Sequence, residues 1–200
     1  MINLKSDTNR DIFIYDNVFE SHQIQKMYEY IQKSYFKLSM NDDDYNEYKT
    51  KFSQTFGSKY DENDLRYFGI LDFLPIEIKQ KFNMTYDTYN RCIVNCITPL
   101  DTHYPHDDSS YPVEDTGTFG EANDNNNVKW SLIFYCNLKW EVEWGGDTLF
   151  LSDDRKDINH ISQCKVNRLV VFDAKIPHLI RPSTMSAPYY RWSINMTFRP

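Results

Sequence analysis

The sequence predicts a mainly β domain with flanking α-helices, and three observations carry that prediction. After residue 85 the chain breaks into short runs rich in β-branched and aromatic residues, each bounded by turn formers. Before that point, residues 20–38 carry apolar side chains at helical spacing. Aromatic residues make up 16% of the chain, and glycine contributes only 6 residues. Such a composition suits sheet and disfavours a glycine-rich phosphate loop. Many short strands fit a sandwich, a jelly roll or a barrel. With 200 residues the chain is long enough for one domain, 1–200, that buries its own core. Residues 1–84 then supply an N-terminal strand and supporting helices, and residues 85–200 supply the β core.

The elements follow in order. Asp11–Phe19, DIFIYDNVF, reads as a short strand that ends in a turn. ESHQIQKMYEYIQKSYFKL comes next and places Ile24, Met27, Tyr28, Ile31 and Tyr35 on one helical face, with Glu20 or Ser21 as its cap. Residues 40–64 are polar and read as loop. LRYFGILDFLPIEIKQKFNM reads as helix on both sides of Pro75, which interrupts it. TYNRCIVNCIT, KWSLIFYCNL, DTLFLS, RLVVFD and RWSINMTF are the strands of the second half. Between the first two, Glu114–Asn127 is acidic, rich in Asn and nearly free of apolar residues, which predicts a mobile surface loop.

Charge and composition narrow the function. The formal net charge is −7, and no dense Lys/Arg run exists, which disfavours a nucleic-acid partner. No apolar run approaches the roughly 20 residues of a membrane span. The N-terminus shows no signal-peptide pattern, so the expected location is cytoplasmic. Cys92, Cys96, Cys136 and Cys164 fit neither a zinc ribbon nor a CxxC pair and read as reduced, buried thiols.

Chemistry enters at DTHYPHDDSS, residues 101–110. In an extended strand residues i and i+2 share a face, so His106 and Asp108 can grip one ion while Asp107 points away. His103 falls out of phase with His106 across Pro105. The best third ligand is His178 in FDAKIPHLIRP, just after the buried-looking strand RLVVFD. Two imidazoles and one carboxylate make the facial triad of non-haem Fe(II) oxygenases. By themselves these residues also fit a charged turn and a half-buried histidine.

The last strand adds independent weight. RWSINMTF alternates strictly: Arg191, Ser193, Asn195 and Thr197 on one face, Trp192, Ile194, Met196 and Phe198 on the other. A polar face cannot pack a dry core without partners. If the apolar side meets the core, the polar side lines a wet cavity. Arg191 then offers its planar fork to a carboxylate, with the Ser193 hydroxyl one pleat along.

The order His-x-Asp, strand, WGGDTLF, His, Arg-x-Ser resembles the 2-oxoglutarate/Fe(II)-dependent dioxygenases, in particular their prolyl 4-hydroxylase-like branch. LIFYCNLKWEVEWGGDTLF is the most specific segment, and the likeness covers roughly residues 85–200. It implies a double-stranded β-helix, a cupin-like jelly roll, with helices buttressing one sheet. It implies His106, Asp108 and His178 as iron ligands and Arg191 as the binder of the distal carboxylate of 2-oxoglutarate. Tyr135 matches a tyrosine that assists this arginine, and Arg181 is a rival that faces the other way. Some members carry a further cosubstrate tyrosine in the strand before His-x-Asp, where this chain has Asn95 and Cys96.

The resemblance implies a hydroxylase that uses Fe(II), O₂ and 2-oxoglutarate, with ascorbate as a possible reductant. It releases succinate and CO₂ while hydroxylating an unactivated C–H of a peptidyl, prolyl-like residue or a small molecule. Residues 109–128 are expected to act as a lid, and Trp140 and Trp144 to flank the mouth. Two other readings stay open. One is a nucleic-acid demethylase of the same superfamily, although Arg191 and Arg199 stand eight apart where those enzymes space two arginines by six. The other is a non-catalytic cupin-like module that binds a metal or ligand.

Overall fold

The computed structural model describes residues 1–33, 37–39, 51–56, 69–99, 101, 104–109 and 128–200. The N-terminal strands β1 (Ile2–Lys5) and β2 (Asp11–Asp16) form a hairpin in which Ile2 pairs with Ile14. Helix α1 (Ser21–Lys33) buries Ile24, Met27 and Ile31 at the predicted spacing. Of the two candidate caps Glu20 holds the position. Its carbonyl accepts from the N–H groups of Gln23 and Ile24, and its own N–H donates to Gln23 Oε1 at 3.0 Å. Tyr35 lies outside the described residues.

Pro75 divides the next segment into α2 (Ile70–Phe73) and α3 (Ile76–Phe82). Its carbonyl accepts from Ile78 and Lys79, so the residue that stops one helix starts the other. Asn83, at φ 52°, ends α3 in the left-handed conformation.

Within the stretch read as loop, residues 51–56 form a strand, and Lys37 and Leu38, read as the end of the helix, belong to another. Strands β3 (Lys37–Ser39) and β4 (Lys51–Phe56) pair with each other, and β4 pairs with β5 (Tyr89–Ile97). KFSQTF sets Phe52, Gln54 and Phe56 on one face against Lys51, Ser53 and Thr55, and the polar Gln54 breaks the apolar alternation inside a charged stretch.

The remaining strands are β6 (Trp130–Tyr135), β7 (Thr148–Leu151), β8 (Ile158–Ser162), β9 (Arg168–Asp173), β10 (His178–Ile180) and β11 (Arg191–Phe198). They build two antiparallel sheets. The large sheet runs β1-β2-β9-β6-β11-β5-β4-β3, and the small one runs β10-β7-β8. An antiparallel bridge between His106 and His178 adds residue 106 beside β10. From β5 onward the chain passes large, small, large, small, small, large, small, large. That alternation is a double-stranded β-helix, or jelly roll. β8 escapes a sequence reading because INHIS mixes polar residues with two half-exposed isoleucines.

Each face of the large sheet has its own core. Trp192, Ile194, Met196 and Phe198 join Met27, Ile31, Ile70 and Phe82 under the helices. Ile12, Ile14, Ile133, Tyr135, Val170 and Phe172 meet Phe150 of the small sheet on the inner side. Period-two alternation along β2, β6, β9 and β11 sorts one set from the other.

Asn167 fastens the β2–α1 corner to the turn before β9. It sits at φ 59°. Its Oδ1 accepts from Phe19 N–H at 2.9 Å and its Nδ2 donates to Phe19 O at 2.8 Å. Its backbone carbonyl accepts from Asn17. Asn167→Ala strands two buried backbone groups and strains a left-handed residue, at a cost of about 3 kcal/mol. Denaturant unfolding checks this, with Asn167→Gly expected to lose less, because glycine removes the strain but not the lost bonds. A loss under about 0.5 kcal/mol for the Ala variant would refute the pinning role.

Candidate metal centre

His106, Asp108 and His178 converge, with one potential ligand atom from each lying within 4.8 Å of the others. His178 Nε2 stands 3.8 Å from Asp108 Oδ2, and the two imidazole centroids are 4.5 Å apart. The backbone causes this. Reciprocal hydrogen bonds between the main chains of His106 and His178 zip the two residues side by side, and Asp108 N–H donates to Ala174 O at 2.8 Å. His178 and Asp108 are buried and His106 is half-buried, so one side of the cluster stays accessible.

Each imidazole is oriented by its own chain. His106 Nδ1 lies 2.9 Å from Tyr104 O, and His178 Nδ1 lies 3.1 Å from Ile176 O. A carbonyl can only accept, so each Nδ1 carries a proton, and in the neutral ring it is Nε2 that offers a lone pair to a metal. Ser131 on β6 donates from Oγ to Asp108 Oδ2 at 2.7 Å. Burial alone would raise the Asp108 pKa. The nearby His178 and His106, the Ser131 hydroxyl and Arg91 outweigh it and hold the carboxyl at about 2. Asp108 is therefore an anion throughout the working pH range, as a metal ligand must be.

Arg191 opens β11 at the other end of the inner face and is fully buried. Its Nε donates to Gly146 O at 2.7 Å and its Nη1 to Ser193 Oγ at 2.9 Å. Nη2 is buried with no hydrogen-bond partner. Its guanidinium carbon stands 5.0 Å from the centroid of the Tyr135 ring. Among the described residues no carboxylate pairs with it. The neighbouring thiols cannot supply a charge either. Burial pushes Cys164 up to about 11, despite Arg191, and pushes Cys136 up as well. Burial likewise raises the Tyr135 phenol. An uncompensated buried cation costs several kcal/mol, so this end of the cavity fits an anion.

Between the two ends the ladder stays polar. Asn95 pairs with Ser193 in register, and Asn195 follows one pleat on. The Oδ1 atoms of both asparagines are buried without a donor. A half-turn of either amide presents N–H instead. A dianion lying along this face would therefore find donors beyond Arg191.

The other candidates named from the sequence separate cleanly. Asp107 turns outward, as expected, accepting from Ser109 and from Arg155 Nη2 at 3.3 Å. Arg181 lies outside the cavity, 3.8 Å from Asp147. Asp101 is buried but caps its own turn by accepting from Thr98 N–H. The Tyr135 hydroxyl sits beside Arg191 and donates to Thr148 Oγ1 at 2.8 Å. Trp140 and Trp144 do not flank a mouth. Both are buried, their rings 5.6 Å apart, around the Gly145–Gly146 turn, and Trp140 Nε1 donates to Gly145 O. His103 and residues 110–127 of the expected lid lie outside the described residues.

Three supporting residues went unread in the sequence. Ser131 stands inside the strand run KWSLIFYCNL, where nothing local marks its bond to Asp108. Asn137 accepts from Trp192 N–H at 2.7 Å and donates to Tyr190 O at 2.8 Å, which fixes the chain on both sides of Arg191. Gly146, at φ 78°, lies so close to Arg191 that an added Cβ would stand 2.9 Å from Arg191 Cδ and 3.3 Å from Trp140 Cζ2. The Gly-Gly pair was the available signal for that approach.

Comparison with known proteins agrees with this geometry. A family model described as the 2OG-Fe(II) oxygenase superfamily matches residues 92–199. No curated protein matches the chain by sequence. Among solved structures, a prolyl-4-hydroxylase from Pseudomonas putida aligns with a TM-score of 0.61 at 15% identity, covering 94% of this chain and 92% of that one. A Trichoplax adhaerens prolyl hydroxylase in complex with a hypoxia inducible factor oxygen degradation domain peptide fragment aligns with a TM-score of 0.61 at 15% identity over 94% and 83%. An oxidoreductase of the 2OG-Fe(II) oxygenase family from Burkholderia pseudomallei gives 0.65 at 10% identity over 94% and 85%.

The two ends of the cavity predict separable defects. Ser131→Ala should weaken metal affinity about tenfold or more and leave anion affinity nearly unchanged. Gly146→Ala should weaken 2-oxoglutarate affinity at least tenfold while metal affinity holds. Calorimetric titration of each variant with metal and then with 2-oxoglutarate checks both. A defect of the same size for both ligands in both variants would contradict the division.

Proposed function

Because the chain belongs to the 2OG-Fe(II) oxygenase superfamily, we propose that His106, Asp108 and His178 hold Fe(II) and that Arg191 seats the distal carboxylate of 2-oxoglutarate. The chain is a 2-oxoglutarate- and Fe(II)-dependent oxygenase. The buried, unpartnered Arg191 Nη2 at one end of a polar ladder that leads to the triad carries the residue assignment. A binding module with no anionic cosubstrate would leave that charge unexplained.

The residues fit the groups they would hold. Two imidazoles and a carboxylate converge, and a metal held by them would keep its accessible side for other ligands. Bound Fe(II) supplies the activation of O₂ that couples oxidative decarboxylation of 2-oxoglutarate to oxygen insertion into a C–H bond. The balance is R–H + O₂ + 2-oxoglutarate → R–OH + succinate + CO₂. Arg191 and Ser193 orient the cosubstrate through its far end. Asn95 and Asn195 present their amides along its length. Tyr135 gives Arg191 an aromatic wall, and its hydroxyl, held by Thr148 and Ser162, would serve a carboxylate seated there only by leaving those partners. Ser131 steadies Asp108. Ile133, Phe150 and Phe172 line the inner core and exclude water from this end.

The reaction class we favour is hydroxylation of a prolyl-like peptidyl residue or a small molecule. Structural likeness to two prolyl hydroxylases supports it, one of them in complex with a peptide fragment. The net charge of −7 weighs against a nucleic-acid substrate. Residues 1–200 act as one dioxygenase domain, a reading supported by β1–β4 lying in the same sheet as the core strands. The four free, buried cysteines support a reducing, cytoplasmic location. No helix of the described residues is long and apolar enough to cross a membrane.

Succinate formation from 2-oxoglutarate with Fe(II) and ascorbate tests the assignment. His106→Ala, Asp108→Ala and His178→Ala should each drop turnover below about one per cent of wild type, the scale of losing a metal ligand. Asp107→Ala should retain most of it. Equal loss in Asp107→Ala would show that the wrong carboxylate has been assigned.

A further inference from the structure

The inner face of the large sheet carries a second basic cluster, at the end opposite Arg191. The alternation of β11 continues past its last residue. Phe198 is buried on the helix side, while Thr197 and Arg199 follow Arg191, Ser193 and Asn195 on the inner side. Arg199 N–H donates to Thr88 O at 2.7 Å, so strand pairing extends beyond Phe198. The β5–β11 register slips between Thr197 and Phe198, and the slip sets two β5 residues against Thr197. Arg91 is the ladder partner of Thr197, and Asn90 Nδ2 donates to Thr197 Oγ1 at 3.1 Å. Asn90 Oδ1 accepts from Arg199 Nη2 at 3.3 Å. Asn90, Arg91, Thr197 and Arg199 thus form one group.

Their level in the fold decides what they face. Thr197 pairs with Ser131, the residue whose hydroxyl holds Asp108. Arg91 lies one strand over at that same level. Arg199 lies one pleat further out. Arg191 and Arg199 are eight residues apart along an extended strand, about 26 Å at roughly 3.3 Å per residue. A 2-oxoglutarate held by Arg191 at its distal carboxylate and by the metal at its other end has no carboxylate left for Arg199. Arg191 takes the cosubstrate, and the metal-level arginines face whatever approaches from the other side.

Arg199 is also unlike the other surface arginines described. Arg10, Arg155, Arg168 and Arg181 each lie within 4.0 Å of an aspartate. Arg199 has a neutral asparagine as its partner, and its Nε is buried without any. The chain has 29 acidic residues, yet no described carboxylate pairs with Arg199. A site-facing guanidinium left open in an acidic chain is a fork for a carboxylate that arrives from outside.

We propose that Arg91 and Arg199 seat a carboxylate of the primary substrate, so that the oxygenase acts on an acid-bearing amino acid or peptide. This rests on the oxygenase reading, because only the metal level makes that face the substrate side. The carboxylate has two sources, the α-carboxylate of an amino acid or an acidic side chain of a peptide.

Saturation-transfer NMR on the full chain loaded with Zn(II) and 2-oxoglutarate separates the cases. The probes are N-acetyl amino acids with neutral side chains and their neutral N-acetyl amides, and N-acetyl-aspartyl and N-acetyl-glutamyl amides with the neutral asparaginyl and glutaminyl counterparts. At least one acid should bind, with its neutral amide at least tenfold weaker. Binding by the first set identifies an α-carboxylate, and by the second a side-chain acid. Arg91→Gln and Arg199→Gln should each weaken the acid at least tenfold, and Arg199→Lys should recover part of the loss. Acids and amides binding alike, no acid binding, or acid affinity unmoved in both Gln variants overturns the proposal. Saturation of 2-oxoglutarate itself is read in the same spectra. Its absence rejects the cosubstrate reading instead, so the two failures are distinguishable.

Discussion

A buried guanidinium with no counter-charge among the described residues is the constraint around which the inner face of this protein is arranged. Removing a cation from water costs several kcal/mol, and neutral partners recover only part of it. Arg191 receives a carbonyl from Gly146, a hydroxyl from Ser193 and the face of Tyr135. None of these is an anion. The surrounding structure is built to keep the group in place regardless. Asn137 clamps the backbone on both sides of it, and Gly146 leaves out the Cβ that would displace it. A fold that commits this much order to an open charge is organised for a ligand that completes it.

The metal end follows from the same sheet pairing. β11 pairs with β5 on one side and β6 on the other, so one inward row joins Arg91, Thr197 and Ser131. Ser131 turns Asp108, while the small sheet brings His106 beside His178 by main-chain bonds alone. The triad is therefore assembled by backbone pairing and needs no ion to gather it. Both imidazoles are held in the tautomer that leaves Nε2 open. Arg155, from the β7–β8 turn, donates to Pro105 O and Asp107 and pins the segment just before Asp108.

Much of this was legible in the sequence wherever a period-two pattern was at work. His106 and Asp108 share a face because they are two apart, and Arg191, Ser193 and Asn195 line up for the same reason. His178 was legible as the residue just after a buried strand. What escaped depends on which strands neighbour each other. Ser131 gains its role only when β6 meets β11, and no local pattern around it says so. β4 was lost in a polar stretch, and β8 exposes two of its own isoleucines, so neither shows the apolar run that marks a strand. Trp140 and Trp144 look like rim residues by type, yet the left-handed turn at Gly145 and Gly146 folds them inward.

Thermal unfolding with Zn(II), in the presence and absence of 2-oxoglutarate, tests the central claim most directly. At about a hundred times its dissociation constant, a ligand of the native state adds roughly 2.7 kcal/mol. In a chain of this size that corresponds to a Tm rise of about 5–10 °C. Wild type should show that rise, and Arg191→Gln should show almost none. An unmoved wild-type Tm, or an equal rise in the variant, would contradict the account.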